Sequence, residues 1–178
     1  MVDTVAHEQV AHLVNPENVE PIEILGPTIQ FLTPLEGDDL SPCVMRGTIP
    51  PGVVIPLHSH ADPETFIPIS GEVEGLAYAA DDFTWVRVTP GDVFHVPNGV
   101  KHAWRNQTRT PAVMYLISTC KIGRFFQELG TPVRPGAPPP GPPSGEMIRH
   151  FLETSERYGY WNAGPEENAR IGISLPAA

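Results

Sequence analysis

The sequence predicts an all-β fold, a small antiparallel β-barrel followed by a C-terminal helix. Three observations carry this. Glycine and proline, 16 and 22 of 178 residues, cut the chain into apolar runs of strand length. Some runs alternate, as in Trp85-Val-Arg87-Val, the pattern of a half-buried strand. His58-Ser-His60 puts two imidazoles on one face if the segment is a strand, because side chains alternate there. On a helix the same spacing turns them about 200° apart.

In chain order, residues 1–27 form a polar, weakly periodic arm with prolines at 16, 21 and 27. Residues 19–25 of it offer an edge strand to this barrel or to a neighbouring subunit. Residues 28–122 are the barrel, with strands expected over 29–32, 42–49, 53–60, 64–69, 72–79, 83–88, 93–96, 102–106 and 112–119. Pro50-Pro-Gly52, Pro90-Gly-Asp92 and Pro97-Asn-Gly99 are turn sequences, proline fixing φ ahead of a glycine that tolerates positive φ. The run Val113-Met-Tyr-Leu-Ile117 reads as buried on both faces. Residues 123–145 hold the end of a short helix, with Phe125, Phe126 and Leu129 inside and Gly130 as its stop, and then a semi-rigid proline-rich spacer. Residues 146–178 are the C-terminal helix and tail. Met147, Ile148, Phe151, Leu152 and Ser155 make a stripe at helical spacing for the barrel or a partner chain, and Gly159 ends the helix. Tyr160-Trp-Asn162 and the last residues receive no place.

Composition fits one domain spanning 1–178. A chain of this length buries about 70% of its unfolded surface, and a 40% apolar fraction supplies a core. A net charge of −10 without basic runs excludes nucleic-acid and anionic-membrane partners. No stretch is apolar enough to span a bilayer, and the N-terminus lacks a secretion signal. The two cysteines, Cys43 and Cys120, stand in no ligand-like spacing, so a cytoplasmic location is expected.

The chemistry concentrates on His58, His60, Glu64 and His102. Neutral imidazoles suit first-row transition metals, and a carboxylate adds a hard anionic ligand. The surrounding frame is more specific than the ligands. From Gly52, five residues lead to His58-Ser-His60, three more to Glu64 and six more to Gly71. From Gly91, five lead to Pro97, one to Gly99, two to His102 and three to Asn106. Both patterns resemble the two signature motifs of the cupin superfamily, with every anchor filled and 19 residues between them. The resemblance implies a jelly-roll barrel (a double-stranded β-helix) holding one metal on His58, His60, Glu64 and His102. The sequence from Phe125-Phe-Gln-Glu-Leu-Gly130 through the proline-rich run to Arg157-Tyr-Gly159 is similar to the tail of bacterial single-domain cupins of the quercetin-dioxygenase-like group. That likeness implies a metal-dependent oxidoreductase.

Three histidines and one glutamate leave one or two positions of a five- or six-coordinate metal free, where a structural site would be closed. The ion is one divalent transition metal, with iron, manganese, nickel, cobalt, copper and zinc all compatible. The expected activity is a dioxygenase acting on an enol, catechol or flavonol-like molecule, with Glu64 as the catalytic proton acceptor. Phe66 and Trp104 share the ligands' strand parity and are expected to line the substrate pocket, as does Pro56; Met45, Tyr78 and Tyr115 are further candidates. His95 reads as structural or exposed, and His7, His12 and His150 as solvated. The expected partners are a small-molecule substrate, dioxygen and a second copy of the chain in a homodimer. Two alternatives stand beside this reading. One is a non-oxidative isomerase or lyase using the metal as a Lewis acid; the other is a non-catalytic small-molecule binding barrel. Only Arg46, Arg87, Lys101 and Arg105 lie near the motifs, too few for a sugar-phosphate site.

Overall fold

The structure, a computed structural model, describes residues 10–79, 82–134, 136 and 141–175. Its strands are β1 (Ile22–Glu23), β2 (Thr28–Phe31), β3 (Pro42–Ile49), β4 (Val54–Ser59), β5 (Glu64–Ser70), β6 (Val73–Ala79), β7 (Asp82–Val88), β8 (Phe94–Val96), β9 (His102–Arg105), β10 (Ala112–Thr119), β11 (Thr131–Pro132) and β12 (Trp161–Asn162). The helices are α1 (Cys120–Leu129), α2 (Gly145–Tyr158) and α3 (Pro165–Arg170). Each expected barrel strand is present, its ends displaced by no more than a residue or so. Among the described residues no helix is long and apolar enough to cross a membrane.

The strands form two sheets, one ordered β11-β1-β2-β3-β10-β5-β8 and the other β12-β4-β9-β6-β7. Every described pairing is antiparallel. From β3 to β10 the chain passes back and forth between the sheets, staying in one only for the β6–β7 hairpin. The result is a two-sheet jelly roll, in which the sheets face each other instead of joining edge to edge.

Alternation explains which residues fill the space between them. On β3, Cys43, Met45, Gly47 and Ile49 are buried while Val44, Arg46 and Thr48 are not. Cross-strand register then sets a row of apolar side chains over the inner face: Phe31 beside Met45, Met45 beside Leu116, Leu116 beside Phe66, and Phe66 beside Phe94. Trp104, from the opposite sheet, packs on Phe66 and Phe94 with ring centroids 4.5 and 4.8 Å away, within the usual range for aromatic pairs. Gly75 makes room for this, since a Cβ there would lie 2.9 Å from Trp104 and 3.0 Å from Phe94.

Several expectations need correcting. The run at β10 is not buried on both faces: Met114 and Leu116 are inside, while Ile117 is 37% exposed. Of the two places open to the edge strand of the arm, it takes the one in its own chain, where β1 pairs with β2. The proline-rich run is not wholly spacer either, because its first residues form β11 on the edge beside β1; residues 135 and 137–140 of it lie outside the described residues. Gly130 ends α1 with an ordinary φ of −73°. The constraint there is space, as a Cβ would overlap Ile22. Gly159 does end α2 in the left-handed region, φ 75°.

The stripe on α2 packs only in part. Phe151 and Tyr158 rest on Phe125 of α1, with centroids 5.8 and 5.3 Å away, and Arg157 pairs with Glu128. Met147 and Leu152 remain 41% and 48% exposed. The tail, left without a place by the sequence, covers the outer face of the smaller sheet. There Ala163 and Ile173 lie over Leu57, Leu76 and Ala103.

Candidate metal centre

The ligand strand β4 carries an irregularity that sets the site. Ile55 stands opposite Trp104 and His58 opposite His102, which leaves two residues, Pro56 and Leu57, against one, Ala103, on the other strand. This is a β-bulge at Pro56-Leu57, a position that tolerates proline because the ladder is interrupted. It lets both Ile55 and His58 point inward. The tail holds the bulge: Leu57 N–H donates to Asn168 Oδ1 (3.0 Å) and Ala163 N–H donates to Leu57 O (2.9 Å). β12 extends the clamp, pairing Asn162 with His58 and Trp161 with Ser59.

The glycine-proline frame shapes the rest. Gly52, Gly71, Gly91 and Gly99 all have positive φ, as their turn positions require. Gly99 N–H donates to His60 O at 2.8 Å, joining the second motif to the first. Asn106, buried at the end of that motif, donates to Ile49 O and Thr110 O and accepts from Thr108 N. Its backbone bonds Gly52 and Val53.

The four expected ligands converge. One ligand atom from each of His58, His60, Glu64 and His102 lies within 4.8 Å of the others. His58, His60 and His102 come from the smaller sheet and its loop, and Glu64 from the larger. Each imidazole is oriented the same way. Nδ1–H of His58 donates to Pro56 O (2.7 Å), that of His60 to Asp62 O (2.8 Å) and that of His102 to Val100 O (3.0 Å). A carbonyl only accepts, so Nδ1 carries a proton in each ring, and a ring in its neutral form then presents a lone pair at Nε2.

Those lone pairs meet a carboxylate. Glu64 Oε2 lies 3.4 Å from His60 Nε2 and 3.0 Å from His102 Nε2, yet both nitrogens are buried without a hydrogen bond. Burial, followed by the neighbouring His102 and His60 rings, lowers the His58 pKa to about 3, so that ring is neutral at pH 7. Burial would raise Glu64, but positive charge on the His102 and His60 side holds the carboxyl well below the usual range, whether a proton on Nε2 or a cation supplies it. Burial would lower His60, and Glu64 and then Asp62 raise it instead. Converging lone pairs around an anionic carboxylate in a dry pocket are the donor set of a metal ion. The residues fit the group that their spacing implies.

The structure also places the expected lining residues. Phe66, Trp104 and Met45 point inward and are packed in the interior row. Tyr115 does not join them. It alternates with buried Met114 and Leu116, pairs with Arg46 and Ile67, and so lies on the outer face of the larger sheet. Tyr78 pairs with Phe83 on β6; its side chain lies outside the described residues, as does His7. His95 is exposed and bonds Thr65 at 3.0 Å. The basic residues near the motifs are taken up in ion pairs, Arg46 with Glu17, Arg87 with Glu72, Lys101 with Glu167 and Arg105 with Glu74.

Sequence reasoning passed over Asp62 and Tyr160. Asp62, 3% exposed, accepts hydrogen bonds from Tyr160 OH (2.8 Å) and from the Thr119 hydroxyl. Asp62 lies inside the first motif, where a buried acid between two ligands is itself a signal. Tyr160 is 98 residues away from it and carries no periodic mark.

A family profile matches residues 45–118, a segment that contains all four converging side chains. The chain carries a cupin domain. Solved structures agree on this cupin fold. The polyketide cyclase RemF from Streptomyces resistomycificus superposes with a TM-score of 0.54 at 17% identity, over 62% of this chain and 80% of that one. A protein described as a predicted oxalate decarboxylase from Thermotoga maritima gives a TM-score of 0.51 at 20% identity, over 61% of this chain and 98% of that one. At these identities the likeness is one of fold. No curated protein matches the sequence.

Proposed function

We propose that this cupin is a metal-dependent oxidoreductase, a dioxygenase acting on a small oxygenated organic molecule of the enol, catechol or flavonol type. One divalent transition metal (iron, manganese, nickel, cobalt, copper or zinc) would be held by His58, His60, His102 and Glu64. The observation that supports this best is the pair of buried Nε2 atoms, on His60 and His102, that lack a partner beside the Glu64 carboxylate. When bound, the ion lowers the pKa of a coordinating substrate oxygen and, where redox-active, opens electron transfer to dioxygen.

The chain's own residues do the rest. His58 and His102 keep their Nε2 lone pairs because backbone carbonyls take the Nδ1 protons. Glu64, ionised at neutral pH, is positioned to accept the proton of a substrate hydroxyl, a role worth about 10²- to 10⁴-fold in rate. Phe66, Trp104 and Met45 form the apolar wall that keeps water out and favours a planar ring. With the nearby cations already paired, a phosphosugar finds no counter-charge. A second copy of the chain, in a homodimer, belongs to the same proposal.

The test is metal content by plasma mass spectrometry on untagged protein beside His58→Ala, followed by dioxygen uptake with a panel of enols and catechols. Near-stoichiometric metal that disappears in the variant, with dioxygen consumed, is the expected result. Turnover without dioxygen would make the protein a Lewis-acid isomerase or lyase. Absence of metal even after reconstitution would leave only a binding barrel.

A further inference from the structure

We propose that Tyr160, acting through Asp62, is a positioning residue of the metal centre, so that the segment following α2 belongs to the site. The inference rests on the metal being held by the four side chains above. His60 reaches the centre from the loop joining β4 to β5, and its ring orientation depends on one bond, Nδ1–H to the carbonyl of Asp62. That carbonyl is only as fixed as its residue. The Asp62 side chain is buried, and a buried carboxylate is costly unless its oxygens receive donors. Two hydroxyls supply them, Tyr160 on Oδ2 and Thr119 on Oδ1. Ser118 donates to the next carbonyl, Pro63 O, at 2.8 Å.

Tyr160 does more than donate. Its ring lies 5.1 Å from the His60 ring and 4.9 Å from Phe125 of α1, with Lys121 Nζ 5.2 Å from its centroid. The ring closes the His60 side of the centre, and its own backbone is anchored by Tyr160 N–H on Ser155 O at 2.8 Å. A chain of contacts therefore runs from the end of α2 through one hydroxyl and one carboxylate to a ligand. Partners of this kind fix ring orientation and tune affinity, and losing one typically costs 10- to 100-fold.

The experiment compares Tyr160→Phe with Tyr158→Phe. Each removes a single hydroxyl and keeps its ring, but the Tyr158 hydroxyl bonds Glu128 of α1 and not Asp62. Metal-stripped protein is titrated with cobalt(II), reading both the dissociation constant and the visible d–d spectrum, which reports ligand geometry. Tyr160→Phe is expected to bind cobalt about tenfold more weakly, with shifted bands, while Tyr158→Phe matches the unaltered protein. A Tyr160→Phe titration and spectrum identical to the unaltered protein would overturn the proposal. Should that variant lose its circular-dichroism signature, hydrogen exchange on the unaltered protein decides. Cobalt loading must slow exchange at the amides of Tyr160 and Ala163, and unchanged rates there refute the coupling. Unaltered protein that takes up no cobalt would overturn the metal centre first, a failure distinct from a Tyr160 effect that is absent.

Discussion

At the scale of single residues, the centre works by fixing tautomers and isolating charge. Three backbone carbonyls hold three imidazoles with Nε2 inward, and a buried glutamate faces two of them. Glu64 has two tasks, ligand and proton acceptor, and they separate on substitution. Glu64→Gln keeps the shape and one coordinating oxygen but loses the base. It is expected to retain metal on the three histidines while turnover falls about 10²- to 10⁴-fold, read as kcat beside metal content for the same preparation. Full turnover in a metal-loaded Glu64→Gln protein would remove Glu64 from the proton transfer. These four residues were legible because their spacing lies inside two complete glycine-proline frames. Tyr115 was misread for the opposite reason: no motif fixed its register, and apolar neighbours at 113–117 concealed which face was buried.

At the scale of elements, turns and one bulge decide where the ligands point. The strands were readable from period-two alternation, but the bulge at Pro56-Leu57 was not, since a register shift depends on the partner strand and leaves no periodic trace. The tail was illegible for a related reason: Asn168 and Tyr160 earn their positions through bonds over sequence separations of 111 and 98 residues. The motif glycines, by contrast, were readable in conformation, though not in surroundings. Gly52 and Gly71 have nearly equal φ, 76° and 72°. A Cβ at Gly52 would meet nothing within 4 Å, whereas one at Gly71 would fall on Pro111 O and 2.9 Å from Ala112 Cα. Gly52→Ala should therefore cost only the left-handed strain of about 1–2 kcal/mol. Gly71→Ala must also move the β9–β10 turn and should cost at least about 3 kcal/mol. Urea unfolding of both variants checks this, and equal losses would show that backbone conformation alone governs the two turns.

At the scale of the whole molecule, the centre is a cross-link. Two packed sheets are joined mainly by apolar contact across the inner row, a non-directional force that tolerates sliding. The ligand set adds a directional tie, because Glu64 stands on the larger sheet and His58 and His102 on the smaller. An ion bound to all four engages both sheets at once and has no comparable site in an unfolded chain, where the ligands are scattered over 44 residues of sequence separation between His58 and His102. Binding free energy then appears as folding free energy. At a metal concentration one hundred times the dissociation constant, the gain is about 2.7 kcal/mol, which for a chain of this length raises Tm by about 5–10 °C. Scanning calorimetry on stripped and reloaded protein measures this directly. The rise should vanish in His58→Ala, which keeps the packed row but breaks the tie. An unchanged Tm on loading, with metal shown to be bound, would mean that the unfolded chain binds the ion as well as the folded one does, so that the four side chains do not form a site specific to the fold.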